Sequence, residues 1–175
     1  MANWWGGRLV VTGRPRDLLK FSRLARRWPY AVFTNDMRYG EYSELSSERM
    51  KKLGRGRSKK VYHFQYCSDG REHFSGISVY FPALSFLLVT FDPGGTPTCQ
   101  THFISRGRVR KHDLPNKLVD DVFERNGLTD DSWEGDWSDD DETNYNNASI
   151  EIMNLAEAHW EAGIKLARKP GQRRR

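Results

Sequence analysis

Phe74-Ser75-Gly76-Ile77-Ser78-Val79-Tyr80-Phe81-Pro82-Ala83-Leu84-Ser85-Phe86-Leu87-Leu88-Val89-Thr90-Phe91-Asp92-Pro93-Gly94-Gly95, running on through Thr96 to Arg106, decides the fold class. Phe74, Ile77, Ser78 and Phe81 recur at helical spacing, and Pro82 ends the run. Leu84 to Phe91 is the most apolar segment of the chain and is rich in strand formers. Asp92-Pro93-Gly94-Gly95 predicts a turn, because proline presets φ and glycine accepts positive φ. Thr96 to Ser105 then returns as a partner strand. Helix, strand, turn and strand in this order predict an α+β domain with a mainly antiparallel sheet and helices packed on one face.

The same logic extends upstream. Arg8 to Gly13 is a short strand, and Pro15 suits the first turn of a helix. Leu18, Phe21, Leu24, Ala25 and Trp28 line one side of that helix, and Pro29 stops it. Val61 to Cys67 is a strand that places Tyr62, Phe64 and Tyr66 on one face. Such a row either stacks bases or forms core beneath a helix, and core is the expected role. Between them lies an insert, residues 30–60. Within it Ala31 to Asp36 is a short strand or a loop, and Ser43 to Leu53 has helical spacing. Gly54 to Lys60 reads as a flexible loop.

Downstream, Leu114, Leu118, Val119, Val122 and Phe123 mark a helix closing at Gly127. An acidic, tryptophan-bearing loop is expected over 129–147, and a C-terminal helix with a basic tail over 148–175. Residues 1–128 form the expected main domain. Aromatic residues make up 13% of the chain, which disordered chains lack, so a packed core is expected.

The opening residues carry a resemblance. Met1-x-Asn3-Trp4 followed by Arg8-Leu9-Val10-Val11-Thr12-Gly13 resembles the start of a family from bacteriophages, prophages and plasmids. Val79 to Phe86 and Trp133-Glu134-Gly135-Asp136-Trp137 echo further segments of that family. Ala2, Trp5 and the insert depart from its pattern. The resemblance implies a ferredoxin-like βαββαβ fold and a mobile-element origin. It brings no catalytic residues.

Charge gives the functional expectation. The chain carries a net +5, yet residues 129–142 hold eight acids and no base. With those eight set aside, the remaining residues balance at +13. A field of that sign attracts polyanions. Two basic runs stand out: Arg55, Arg57, Lys59 and Lys60, and Arg106, Arg108, Arg110 and Lys111. Seven positive charges fall within residues 49–60, a density that favours phosphate contact. These eight residues are the expected contacts of a non-enzymatic binding protein with nucleic acid or a nucleoprotein complex. A second reading is an inhibitor of a host antiviral defence system. There Trp133, Trp137, Asp136, Asp139 and Asp140 engage a host protein, since tryptophan is favoured at interface hot spots. The same loop serves equally to fold back on the basic body. A third reading is a nuclease or RNA-cleaving toxin assembled from scattered histidines.

Cofactor and metal motifs are weak. His63-x3-Cys67 and Cys99-x2-His102 are the tempting pairs, but zinc needs four converging ligands, and alternation sends Cys99 and His102 to opposite faces. Asp130, Ser132, Glu134, Gly135 and Asp141 outline a calcium loop with aspartate where its last position wants glutamate. No metal, cofactor or catalytic residue is expected. Cys67 and Cys99 read as buried thiols rather than a disulfide. No secretory signal opens the sequence, and no apolar run approaches the ~20 residues of a membrane span. The expected location is the cytoplasm of the host cell.

Overall fold

The computed structural model describes residues 5–28, 32–33, 46–66, 71–92, 98–128 and 139–167. Two compact units divide the chain, Met1–Asp113 and Leu114–Arg175. The boundary falls before the Leu118 helix, whereas the sequence predicts it at residue 128.

The first unit is built on one antiparallel sheet. Its strands are β1 (Trp5–Gly13), β2 (Ser46–Ser47), β3 (Lys51–Gly54), β4 (Arg57–Tyr66), β5 (Ser85–Asp92), β6 (Thr98–Ser105) and β7 (Arg108–Lys111). Helix α1 (Pro15–Arg27) follows β1, and α2 (Arg71–Tyr80) joins β4 to β5. The spatial order is β2-β4-β1-β5-β6-β7, with β3 also paired to β4. Each pairing is antiparallel. The run β3-β4-β1-β5 with its two crossover helices is the ferredoxin-like arrangement. Strands β6 and β7 extend the sheet beyond it.

Alternation sorts the strands into two faces. Leu9, Val11, Tyr62, Phe64, Phe86, Leu88 and Ile104 share the face that packs beneath the helices, with Leu18, Phe21, Ala25 and Phe74. Tyr62 and Phe64 are therefore core, as their spacing predicts. The Tyr66 side chain lies outside the described residues. Phe21 sits edge-on to Tyr62, Phe81 and Phe86 with ring centroids 5.3–5.6 Å apart. Each aromatic pair adds roughly 0.5–1.5 kcal/mol beyond area burial. Val10, Val61, Leu87 and Val89 on the opposite face are also buried. That explains the unbroken Leu87-Leu88-Val89 run: a strand dry on both faces loses polar alternation.

Helix α1 buries Leu18, Phe21 and Ala25, while Leu24 and Trp28 of its expected apolar side stay exposed. Of the Ala31–Asp36 segment, Val32 and Phe33 are described, and both are helical and buried. The expected helix over Ser43–Leu53 is overturned. Its described part contains β2 and β3, because Gly54, Arg55 and Gly56 take φ of 83°, 49° and 68° and fold β3 back on β4. The expected flexible loop over Gly54–Lys60 is thus a hairpin turn followed by the first residues of β4. The turn after Asp92 lies outside the described residues. The β5–β6 register from Phe86↔Ile104 to Asp92↔Thr98 is that of a hairpin.

In the second unit, α3 (Asn116–Arg125) buries Val119, Val122 and Phe123. Helix α4 spans Asp139–Ala167 and buries Ala148, Ile152, Met153 and Ala156. It starts nine residues before the expected Ala148. Acids in a first turn face the positive end of the helix dipole, so the end of the acidic segment is compatible with helix. Arg125 and Glu151 join α3 to α4 through a 2.9 Å ion pair. Among the described residues no helix is long and apolar enough to cross a membrane.

Candidate functional site

Strands β6 and β7 form a hairpin closed by Arg106 and Gly107, with φ of 53° and 75°. Positive φ at both central residues is the signature of the tightest hairpin turn, whose twist matches the strands it joins. The turn is clamped to α2. The Gly107 N–H donates to the Ser78 hydroxyl at 2.8 Å. The Ser75 hydroxyl donates to the Gly107 carbonyl at 2.9 Å. Arg106 Nε donates to the Pro82 carbonyl at 3.2 Å. Ser78 is fully buried, so the base of this hairpin is fixed.

Register then aims the arginines. Phe103 pairs with Arg110 and Ser105 with Arg108, which places all four on the face away from the helices. Val109, opposite Ile104, takes the helix-side face. Arg106, Arg108 and Arg110 line a groove of about 580 Å³ with Phe103, Ser105 and the segment Pro82 to Ser85.

The other basic run lies at the same end of the sheet. Lys51 pairs with Lys59, Lys59 with Thr12, and Thr12 with Ser85. Ser105 pairs with Arg108. One transverse row therefore reads Lys51, Lys59, Thr12, Ser85, Ser105, Arg108. It spans five strand spacings, roughly 24 Å. Long hydrogen bonds tie its middle together: Arg57 Nη2 donates to Thr12 Oγ1 at 3.4 Å, and that hydroxyl donates to the Ser85 carbonyl at 3.5 Å. Cations stand at both ends of the row and hydroxyls between them.

Arg57, Lys59, Arg108 and Arg110 thus share a face and an end, and Arg55 and Arg106 occupy the two turns at that end. Lys60 and Lys111 do not join them. Lys60 belongs to the helix-side face, with its ammonium 5.2 Å from the Tyr62 ring centre. Lys111 pairs with His102 on that same face and is held by Asp113 at 2.8 Å. Alternation removes both, since each is one residue out of phase with the arginines.

Two rows further along β4 lies a charged cluster that sequence reasoning missed. Glu48 Oε2 accepts from Lys51 at 2.9 Å, and Oε1 faces His63 Nε2 at 3.3 Å and Arg8 Nη2 at 3.8 Å. The Lys51 hydrogen bond, followed by those of His63 and the nearby cations, holds the Glu48 carboxyl below its ordinary range despite opposing desolvation. Arg8 is 8% exposed. Glu48 carried no motif, and the strand pairings Ser46↔His63 and Arg8↔His63 are what bring the cluster together. Ser75 and Ser78 were equally silent, because only the fold brings α2 against the β6–β7 turn.

The remaining expected residues are dispersed. Trp133, Asp136 and Trp137 lie outside the described residues, as does Cys67. Asp139 and Asp140 open α4, and Asp140 is exposed. Cys99 is a free, buried thiol whose burial, with the Asp113 charge, pushes its pKa up to about 12. Cys99 and His102 point to opposite faces of β6, as alternation requires. Among the described residues no cluster of three or more His, Cys, Asp or Glu side chains is placed to hold a metal ion. No family model, curated protein or solved structure matches the chain.

Proposed function

We propose that this chain is a non-enzymatic nucleic-acid-binding protein that holds a phosphate backbone along the basic end of its sheet. The transverse row from Lys59 to Arg108, with the Arg106–Arg108–Arg110 groove at one end, is the observation that carries the reading. Guanidinium groups match phosphate oxygens in fork geometry, and the Ser85 and Ser105 hydroxyls between them serve as neutral donors. The clamped β6–β7 turn fixes the strand bearing two of the guanidiniums before any ligand arrives, which lowers the ordering cost of binding. A mobile-element origin and a place in the host cytoplasm belong to the same proposal, resting on the opening residues Asn3, Trp4 and Arg8 to Gly13.

The test is a salt titration of oligonucleotide binding. Counterion release makes the logarithm of affinity fall linearly with the logarithm of salt. Substituting Arg108→Ala and Arg110→Ala together lowers the slope by about 1.4–1.8, or 0.7–0.9 for each phosphate that is no longer neutralised. Salt-independent binding, or no binding to any oligonucleotide at low salt, overturns the reading.

A further inference from the structure

The arginine groove is more than a charged surface. It is concave, and Phe103 is among the residues that line it. Phe103 is half-buried beside Arg110, its direct cross-strand partner. The groove volume of about 580 Å³ falls within the range of small-ligand pockets, roughly 300–1,000 Å³. Arg108 and Arg110 are two residues apart on one face of a strand, hence ~6.8 Å apart along it. Successive phosphates of an extended strand meet such a pair one by one.

Those features discriminate between forms of nucleic acid. A duplex hides the faces of its bases in the stack and offers only its backbone and groove edges. An unpaired base offers a π face, which an aromatic side chain in a cationic groove engages. Ser85 and Ser105 add hydroxyls on the groove wall, where the edge of a base can hydrogen-bond. We infer that the groove takes one unpaired nucleotide of a single strand, with its flanking phosphates on Arg106, Arg108 and Arg110 and its base against Phe103. This inference rests on the nucleic-acid reading above and narrows it to single strands.

The experiment compares four probes on the wild-type chain by fluorescence anisotropy at one fixed salt concentration. They are a twelve-residue oligothymidylate, the matching oligouridylate, a twelve-base-pair duplex, and a twelve-residue oligomer of abasic sites. The two base-bearing single strands are expected to bind at least about tenfold more tightly than the abasic strand and the duplex. Phe103→Leu, which keeps an apolar side chain, is expected to bring the base-bearing strands down to the abasic level. The abasic probe decides the matter even if that variant folds poorly. Equal affinity for all four probes, lost on Arg108→Ala with Arg110→Ala, overturns the single-strand inference and leaves the phosphate-binding reading standing. No binding to any probe removes both.

Discussion

The Ser78 hydroxyl accepts the backbone N–H of Gly107 at 2.8 Å and donates to the Ser75 carbonyl at 2.7 Å. A side chain inside a helix thereby satisfies a turn 29 residues away in sequence. The Ser78 side chain is fully buried, although Gly107 itself is exposed. Ser78→Ala removes the partner of the Gly107 N–H and is expected to destabilise the first unit by about 0.5–1.5 kcal/mol. Urea unfolding measures this. Hydrogen exchange at Gly107 is expected to accelerate more than at the β1–β5 pairing. Uniform acceleration, or an unchanged unfolding midpoint, would show that the clamp does not hold the hairpin.

The Glu48 cluster gives a dependence on acid. Its carboxyl titrates below the ordinary 4.5 in the folded chain, with the Lys51 hydrogen bond as the leading cause. A group with a depressed folded pKa contributes stability that is present above its unfolded value and lost as pH falls through the folded one. Glu48→Gln is therefore expected to be less stable than wild type above pH 4.5, with the gap closing at lower pH. Thermal unfolding of both proteins across that range measures it. A gap that persists unchanged into strong acid would dissociate Glu48 from the effect.

How much of this was legible in the sequence depends on the range of the interaction. Helices α1 and α2 and strands β1, β5 and β6 follow from local periodicity and proline stops, so they were readable. The Ser43–Leu53 stretch misled because Leu45, Met50 and Leu53 mimic one side of a helix. In the fold, the left-handed turn at Gly54, Arg55 and Gly56 and pairing with β4 decide the conformation of Lys51–Gly54. The basic runs were visible as composition. Their shared face was not, because it depends on the register of β4, β1, β5, β6 and β7 together. Alternation alone, applied after the strands were known, separates Lys60 and Lys111 from the arginines.

Cys99 offers a chemical check on the β5–β6 packing. Burial raises its thiol to about 12, so at pH 8 the reactive thiolate is roughly one part in ten thousand. In a Cys67→Ser background, a thiol reagent is expected to leave the native protein unlabelled for hours and to label it promptly in urea. Fast labelling of the native protein at pH 8 would mean that the β6 face carrying Cys99 opens readily.

Two glycine substitutions separate backbone strain from steric crowding at the two hairpin turns. Gly56 has φ of 68° and open space around a built Cβ, whereas Gly107 has φ of 75° and would place Cβ 3.1 Å from Val79 Cγ2. Both alanine variants bear the left-handed penalty, about 1 kcal/mol or somewhat more. Gly107→Ala must in addition push against α2, at the turn that Ser75 and Ser78 hold. It is expected to be the more destabilising of the two. It is also expected to weaken oligonucleotide binding more, because displacing the turn moves Arg108 and Arg110 off the groove. Chemical denaturation and anisotropy on the same pair of proteins provide the comparison. Equal losses of stability with equal binding would mean that the β6–β7 turn tolerates displacement as freely as the exposed β3–β4 turn. The groove would then owe nothing to the clamp.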